Sequence, residues 1–287
     1  MSSSIFAMKQ TLKQIRHQYR RMRQQQRFGE LNAPILFGNS FPKSGTHLLT
    51  QVLAGFAELG PVVDSGLPAV VTFDGPTGKQ RTIEAILKDL RRFQPGDVGY
   101  GHLHALPEVV DLLCSEGVAP FFIYRDPRDV VVSHVFYVTE MAPEHVHHSY
   151  YKNELSSFDE RLRTSILGRP ELDISFPDIR TRFEPYLEWL HHEEVLSIRF
   201  EDFIEQPQEI LGRVFDHVSS RGFVYNGERE AAIQLLRERI APKRSPTFRS
   251  GKTGAWREHF NAEHTALFKE VTGDLLEVLG YARDSDW

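Results

Sequence analysis

The spacing of apolar positions changes twice along the chain. Ile5, Met8, Leu12, Ile15, Tyr19 and Met22 recur at intervals of three and four residues, which predicts one helix with a single apolar stripe and cations around it. Two uses fit such a helix. It packs on its own domain or a partner subunit, or it lies through residues 5–28 on an anionic membrane surface. Gly29 and Pro34 then break the pattern, dividing a basic amphipathic extension (1–29) from a main domain (30–287).

From Pro34 the rhythm becomes strand, helix, strand. Ile35–Gly38 is a short apolar run suited to a buried strand, and Leu48, Leu49, Val52, Leu53 and Phe56 follow at helical spacing up to a stop at Gly60-Pro61. Residues 62–80, rich in Gly, Pro and Asp, read as a loop. Further strands are expected at Val98–Leu103, Val118–Tyr124 and Val195–Phe200, and helices at 83–93, 108–113, 207–218, 228–240 and 262–279. Asp126-Pro127 reads as a cap and first-turn proline. The alternation favours an α/β fold with a central, mostly parallel sheet flanked by helices. Residues 139–180 show weak periodicity and read as a lid or substrate loop. The histidines of Glu144-His145-Val146-His147-His148 read there as solvated side chains in preference to metal ligands.

Composition adds limits. The 287 residues are 40% hydrophobic and 25% charged, with no apolar run long enough to span a bilayer. The N-terminus lacks the apolar core of a signal peptide, and one cysteine, Cys114, excludes an internal disulfide or a multi-cysteine zinc site. A cytoplasmic setting is expected, peripheral to a membrane if the first helix binds one. The net charge of -5 hides two unlike parts. Residues 1–29 hold seven basic groups and no acid, leaving 27 basic against 39 acidic residues in the rest, a balance of -12. An acidic body argues against nucleic acid as a partner, so any anion must be met in a local pocket.

Three segments supply such a pocket. Phe41-Pro42-Lys43-Ser44-Gly45-Thr46 lies between a strand and a helix, where free backbone N–H groups meet the positive end of the helix dipole. Gly45 permits close approach, Lys43 adds a charge, and Ser44 and Thr46 add hydroxyls. The segment is not a Walker A loop. In the second segment Arg125 stands at a strand end and Ser133 about two turns into the next helix, placed to hold one phosphate from two sides. Arg128 and Asp129 read as capping and surface charges. The third, Phe248–Phe260, combines Arg249, Ser250, Gly251, Gly254 and Trp256 and reads as a flap over an anionic ligand.

Together these segments resemble the sulfotransferases that use 3′-phosphoadenosine 5′-phosphosulfate (PAPS). Pro42–Thr46 is similar to the family's 5′-phosphosulfate loop. Arg125 and Ser133 match its 3′-phosphate pair, Arg249-Ser250-Gly251…Gly254…Trp256…Phe260 its late loop, and Arg199–Phe203 followed by Pro207 another of its segments, all in the family's order. The resemblance implies a single P-loop-like α/β domain. It implies PAPS as co-substrate, PAP as product, no metal, and a hydroxyl-bearing acceptor such as a glycan, lipid or small alcohol. Lys43, Ser44, Gly45, Thr46, His47, Arg125, Ser133, Phe200, Arg249, Ser250 and Gly251 would bind the nucleotide, with Phe200 where the family has an adenine-contacting tyrosine. Leu48, Ser250 and Tyr100 stand where the family has Trp, Lys and Lys.

His102, in Tyr100-Gly101-His102-Leu103-His104, aligns with the family's catalytic base, and Lys43 would neutralise the leaving phosphate. His104 is the reserve, because strand alternation would put both rings on one face. The implied reaction is an in-line displacement at sulfur. A P-loop-type nucleotide kinase and a non-catalytic nucleotide-binding module are the alternative functions. The sequence leaves the acceptor and the oligomeric state open.

Overall fold

In the computed structural model, residues 2–241, 251–284 and 286–287 are described, with side chains from residue 12 onward. The basic extension is one helix, α1 (Ser2–Phe28). The main domain is built on the strands β1 (Ile35–Ser40), β2 (Val63–Asp64), β3 (Val70–Val71), β4 (Asp97–His102), β5 (Val118–Tyr124) and β6 (Leu196–Arg199). All paired strands are parallel, in the order β2-β4-β1-β5-β6, with β3 also on β4. β1 is central. The chain leaves it first towards β4 and then returns to its other side for β5, so the switch in direction falls at the carboxyl end of β1, the usual ligand crevice of such sheets.

Side-chain alternation sorts the core into two layers. Phe37 and Phe122 point to one face, covered by α3 (Ile83–Leu90), α4 (Pro107–Leu113), α5 (Pro127–Phe136), α6 (Phe158–Leu167), α7 (Ile179–Leu187) and α11 (Ala262–Thr272). Leu36, Ala119, Phe121 and Ile123 point to the other, covered by α2 (Thr46–Gly55), α8 (Phe200–Glu205), α9 (Pro207–Ser220) and α10 (Arg229–Glu238). Both faces of the sheet are covered, so β1 and β5 read as apolar runs.

The expected strands fall within a residue or two of those observed. Three expectations need correction. The loop 62–80 contributes the two short edge strands β2 and β3. The helix expected at 262–279 is two, α11 and α12 (Leu275–Val278), because Gly273 takes a left-handed conformation (φ 53°) between them. The weakly periodic stretch 139–180 holds two π-helical turns, at Tyr137–Met141 and Tyr150–Glu154, and then α6. Ser157 and Glu160 cap α6 reciprocally.

Candidate active site

The carboxyl ends of β1, β4 and β5 converge on the loop Phe41–Gly45. Ser44 N–H donates to Phe41 O at 3.2 Å, which closes the loop into a turn. Gly45 caps α2 in a left-handed conformation (φ 98°) with no side-chain cap, so the first N–H groups of α2 face out of the helix end. A Cβ at Gly45 would come within 2.6 Å of the Phe200 ring. Glycine is therefore required twice there, by its dihedral and by space. Among the described residues Lys43 is the one non-glycine with positive φ (69°), a strained conformation of the kind that collects at ligand sites. Its Nζ lies 3.9 Å from the centroid of the Tyr137 ring. Ser44 Oγ is fully buried without a hydrogen-bond partner. His47, on the first turn of α2, has its pKa lowered by burial and by Lys43.

The two histidines of β4 and its exit are separated by their surroundings. Nδ1 of His102 lies 3.0 Å from Ser40 O. A carbonyl can only accept, so Nδ1 carries the proton and Nε2 keeps its lone pair. Ser40 Oγ is 3.1 Å from the same nitrogen and 2.7 Å from Thr46 Oγ1, tying the ring to the start of α2. Burial, and secondarily His47 and Lys43, lower the pKa of His102, while the bond to Ser40 opposes the shift. The ring is neutral at pH 7. β4 ends at His102, so strict alternation does not reach His104. Its ring is edge-on to Phe73 and Tyr186, and burial pushes its pKa down to about 4.

Arg125 follows β5 and is almost buried. It donates to Asp129 Oδ2 at 3.1 Å and to Lys252 O at 2.7 Å, and its guanidinium lies 4.7 Å from the Phe200 centroid. Its Nε is buried without a hydrogen-bond partner, 4.0 Å from Glu201. Burial raises the pKa of Glu201. Ser133 is half-buried on the same helix, α5, as Asp129. Phe200 fills the space beneath Gly45 and Arg125. Gly251, in a left-handed conformation (φ 62°), begins the described part of the late loop, whereas Arg249 and Ser250 lie outside the described residues.

Asp129 and Arg128 are not surface charges. Asp129 is 1% exposed, and its carboxylate accepts from Gly254 N–H at 2.9 Å and Trp256 N–H at 2.8 Å as well as from Arg125. One carboxylate thus joins Arg125 to the late loop. Arg128 is held by the Asp126 carboxylate and lies between Trp256 and Trp287. The i, i+4 spacing of Arg125 and Asp129 on a helix start was the available signal, but spacing does not reveal that a loop about 125 residues later covers it.

Residues 137–148 approach the loop from another side. His145 packs against Tyr137, whose ring faces Lys43. The histidines expected to be solvated are built in: His147 is 6% exposed and bonded to Ile174 O, and His148 Nδ1 is 2.6 Å from Val138 O. Tyr150 and Tyr151 are core. Among the described residues one group, Cys114, His192 and Glu194, has the spacing of metal ligands. It lies at the opposite end of the sheet, where burial pushes the Cys114 thiol up to about 11.

The sulfotransferase domain model matches residues 36–280, and the chain belongs to that family and is a sulfotransferase. No curated protein matches it by sequence. Among solved structures it is similar to mouse sulfotransferase SULT7A1 complexed with PAP, at 19% identity and TM-score 0.57, covering 87% of this chain and 89% of that one. It is also similar to retinol dehydratase in a complex with retinol and PAP, at 18% identity and TM-score 0.55, covering 84% and 81%. A second retinol dehydratase structure, with androsterone and PAP, gives 18% and 0.53 over 84% and 80%. At these identities the likeness establishes the fold.

Proposed function

We propose that the chain transfers a sulfuryl group from PAPS to an acceptor hydroxyl, with His102 as the base and PAP as the product. One observation carries the reading: His102 is a neutral imidazole with its proton committed to Ser40 O and Nε2 left basic, tied through Ser40 to the helix of the phosphate loop. A base oriented by a hydrogen bond on its second nitrogen is prepared to take a proton in the transition state.

The residues fit the nucleotide that the structural neighbours hold. The uncapped start of α2 and Lys43 face one anionic group, and the orphaned Ser44 hydroxyl and Arg125 Nε supply further donors. Lys43 neutralises charge that develops on the leaving oxygen, and Arg125 with Ser133 holds the 3′-phosphate. Thr46 and His47 continue the phosphate loop, Phe200 packs under it, and Gly251 with Arg249 and Ser250 belongs to the closing loop. These groups meet the donor's charge without calling for a metal. Retinol and androsterone in the neighbours' complexes bear hydroxyls. Here Tyr137, His145, Phe73 and His104 border the approach, a mixed aromatic and polar lining that suits a glycan, a lipid or a small alcohol.

The test is His102→Ala, assayed by transfer of radiolabelled sulfate and, separately, by calorimetric titration with PAP. Turnover should fall by about 10²–10⁴-fold, the usual contribution of a positioned base, while PAP affinity holds. Near-normal turnover would move the base to His104 or Glu201. Tight PAP binding by the unaltered chain with no transfer to any hydroxyl would favour the non-catalytic alternative. The family assignment replaces the kinase alternative.

A further inference from the structure

Helix α1 is attached the wrong way round for an ordinary amphipathic helix. Its polar edge, not its apolar stripe, meets the body. His17 is 4% exposed and its Nε2 is 2.8 Å from Asp97 Oδ1, which Arg21 also reaches at 2.7 Å. Arg20 donates to Asp64 O, and Gln24 to the carbonyls of Ala57 and Gly60. These bonds fix the helix's rotation. Leu12, Ile15, Tyr19 and Met22 are consequently turned away from the body, each 46–59% exposed, and they make up four of the nine exposed large hydrophobics among the described residues. Such a row is an interaction surface.

Charge identifies the occupant. Arg16 and Arg23 stand one residue past Ile15 and Met22, on the border of the stripe, and with Lys13 they are exposed, with no ion pair among the described residues. No acid occurs anywhere in Ser2–Phe28. A second copy of α1 would bring seven cations against seven with no carboxylate between them. An anionic bilayer surface accepts both the stripe and the cations, at roughly fivefold in affinity per cation. The acidic body, repelled by such a surface, forces the helix to face it. We propose that α1 docks the chain on a bilayer carrying anionic headgroups, with Leu12, Ile15, Tyr19 and Met22 entering the interface. α1 meets the body at Asp64, Gly66 and Asp97, towards the amino end of β4 and away from the candidate site at the carboxyl ends of the strands. The docking itself does not rest on the sulfotransferase chemistry.

The experiment is co-sedimentation of the full chain with phosphatidylcholine vesicles with or without phosphatidylglycerol, at low and high salt. Binding is expected only to the mixed vesicles and should weaken with salt. Arg16→Gln/Arg23→Gln should lower it about thirtyfold. Ile15→Ser/Tyr19→Ser should lower it more than tenfold. Both pairs are exposed, so the thermal midpoint of each variant should match that of the unaltered chain. Absence of binding, equal binding to both vesicles, or binding unchanged in the variants overturns the proposal. So does a dimer in solution that Ile15→Ser/Tyr19→Ser dissociates, which would assign the stripe to a second copy.

Discussion

Asp97 and Asp129 lie at opposite ends of the parallel sheet, each shielded from solvent and each holding an arginine. At the amino end of β4, Asp97 receives His17 and Arg21 from α1 and the N–H of Gln94, so every partner belongs to the scaffold. At the carboxyl end of β5, Asp129 receives two loop N–H groups and Arg125, whose Nε is left without a hydrogen-bond partner. The same interaction therefore serves two purposes. A buried carboxylate with all partners satisfied attaches an element. One whose cation keeps an unsatisfied donor leaves that donor able to meet a ligand, the role proposed for Arg125. Completeness of hydrogen bonding, more than burial, separates the structural charge from the functional one.

The largest expected effect tests both halves of this contrast. Asp129→Ala strips the acceptor from Arg125, Gly254 and Trp256, and should lower unfolding free energy by ~3–5 kcal/mol, as removal of one partner of a buried pair does. PAP affinity should fall with it, because the late loop loses its seat. Chemical denaturation and calorimetric titration read the two quantities. Asp97→Ala should cost about the same in stability, again ~3–5 kcal/mol, yet leave PAP affinity as it was. A parallel loss of affinity would show that the two ends are coupled and would end the distinction. Arg125→Ala should weaken PAP by roughly 10- to 100-fold, the worth of hydrogen bonds to a charged group, measured by the same titration. An unchanged affinity would remove Arg125 from the binding set.

The smallest effect is one of pH. Burial lowers the pKa of His102 and pushes those of His104 and His145 down to about 4, against about 6.5 in the unfolded chain. As pH falls below 6.5 the unfolded chain takes up protons that the folded chain refuses, so stability declines towards pH 4. These three rings gather around the site's end of the sheet. The thermal midpoint should fall across that window, and His104→Phe should flatten the decline. A midpoint constant from pH 7 to 4 would contradict the burial of these rings.

Much of the site was legible because its parts are local. A strand ending in Pro42-Lys43-Ser44-Gly45-Thr46, a strand followed by Arg125 and a capped helix, and a histidine at the end of β4 are each specified by neighbours in sequence. The strands themselves were legible as apolar runs bounded by turn residues. What escaped depended on distant partners. β2 and β3 are two-residue strands that exist only because β4 lies alongside. The 144–148 histidines look solvated until Val138 O and Ile174 O are brought to them. The capping box of Ser157 and Glu160 was a readable signal for α6 that the charges of the segment masked.

The sequence by itself determined the order of strands and helices, the strand-to-helix turn at Pro42–Thr46, the arginine after β5 and the amphipathic character of α1, because these follow from spacing, turn chemistry and local charge. Only the tertiary structure decided which histidine is tied through Nδ1 to a backbone carbonyl, which carboxylate holds the late loop, and which side of α1 faces outward. Each of those rests on a hydrogen bond or ion pair between residues more than 60 positions apart, from His102 to Ser40, from Asp129 to Gly254 and from His17 to Asp97. The stripe shows that α1 has an apolar side. The buried bond to Asp97 is what turns that side away from the protein.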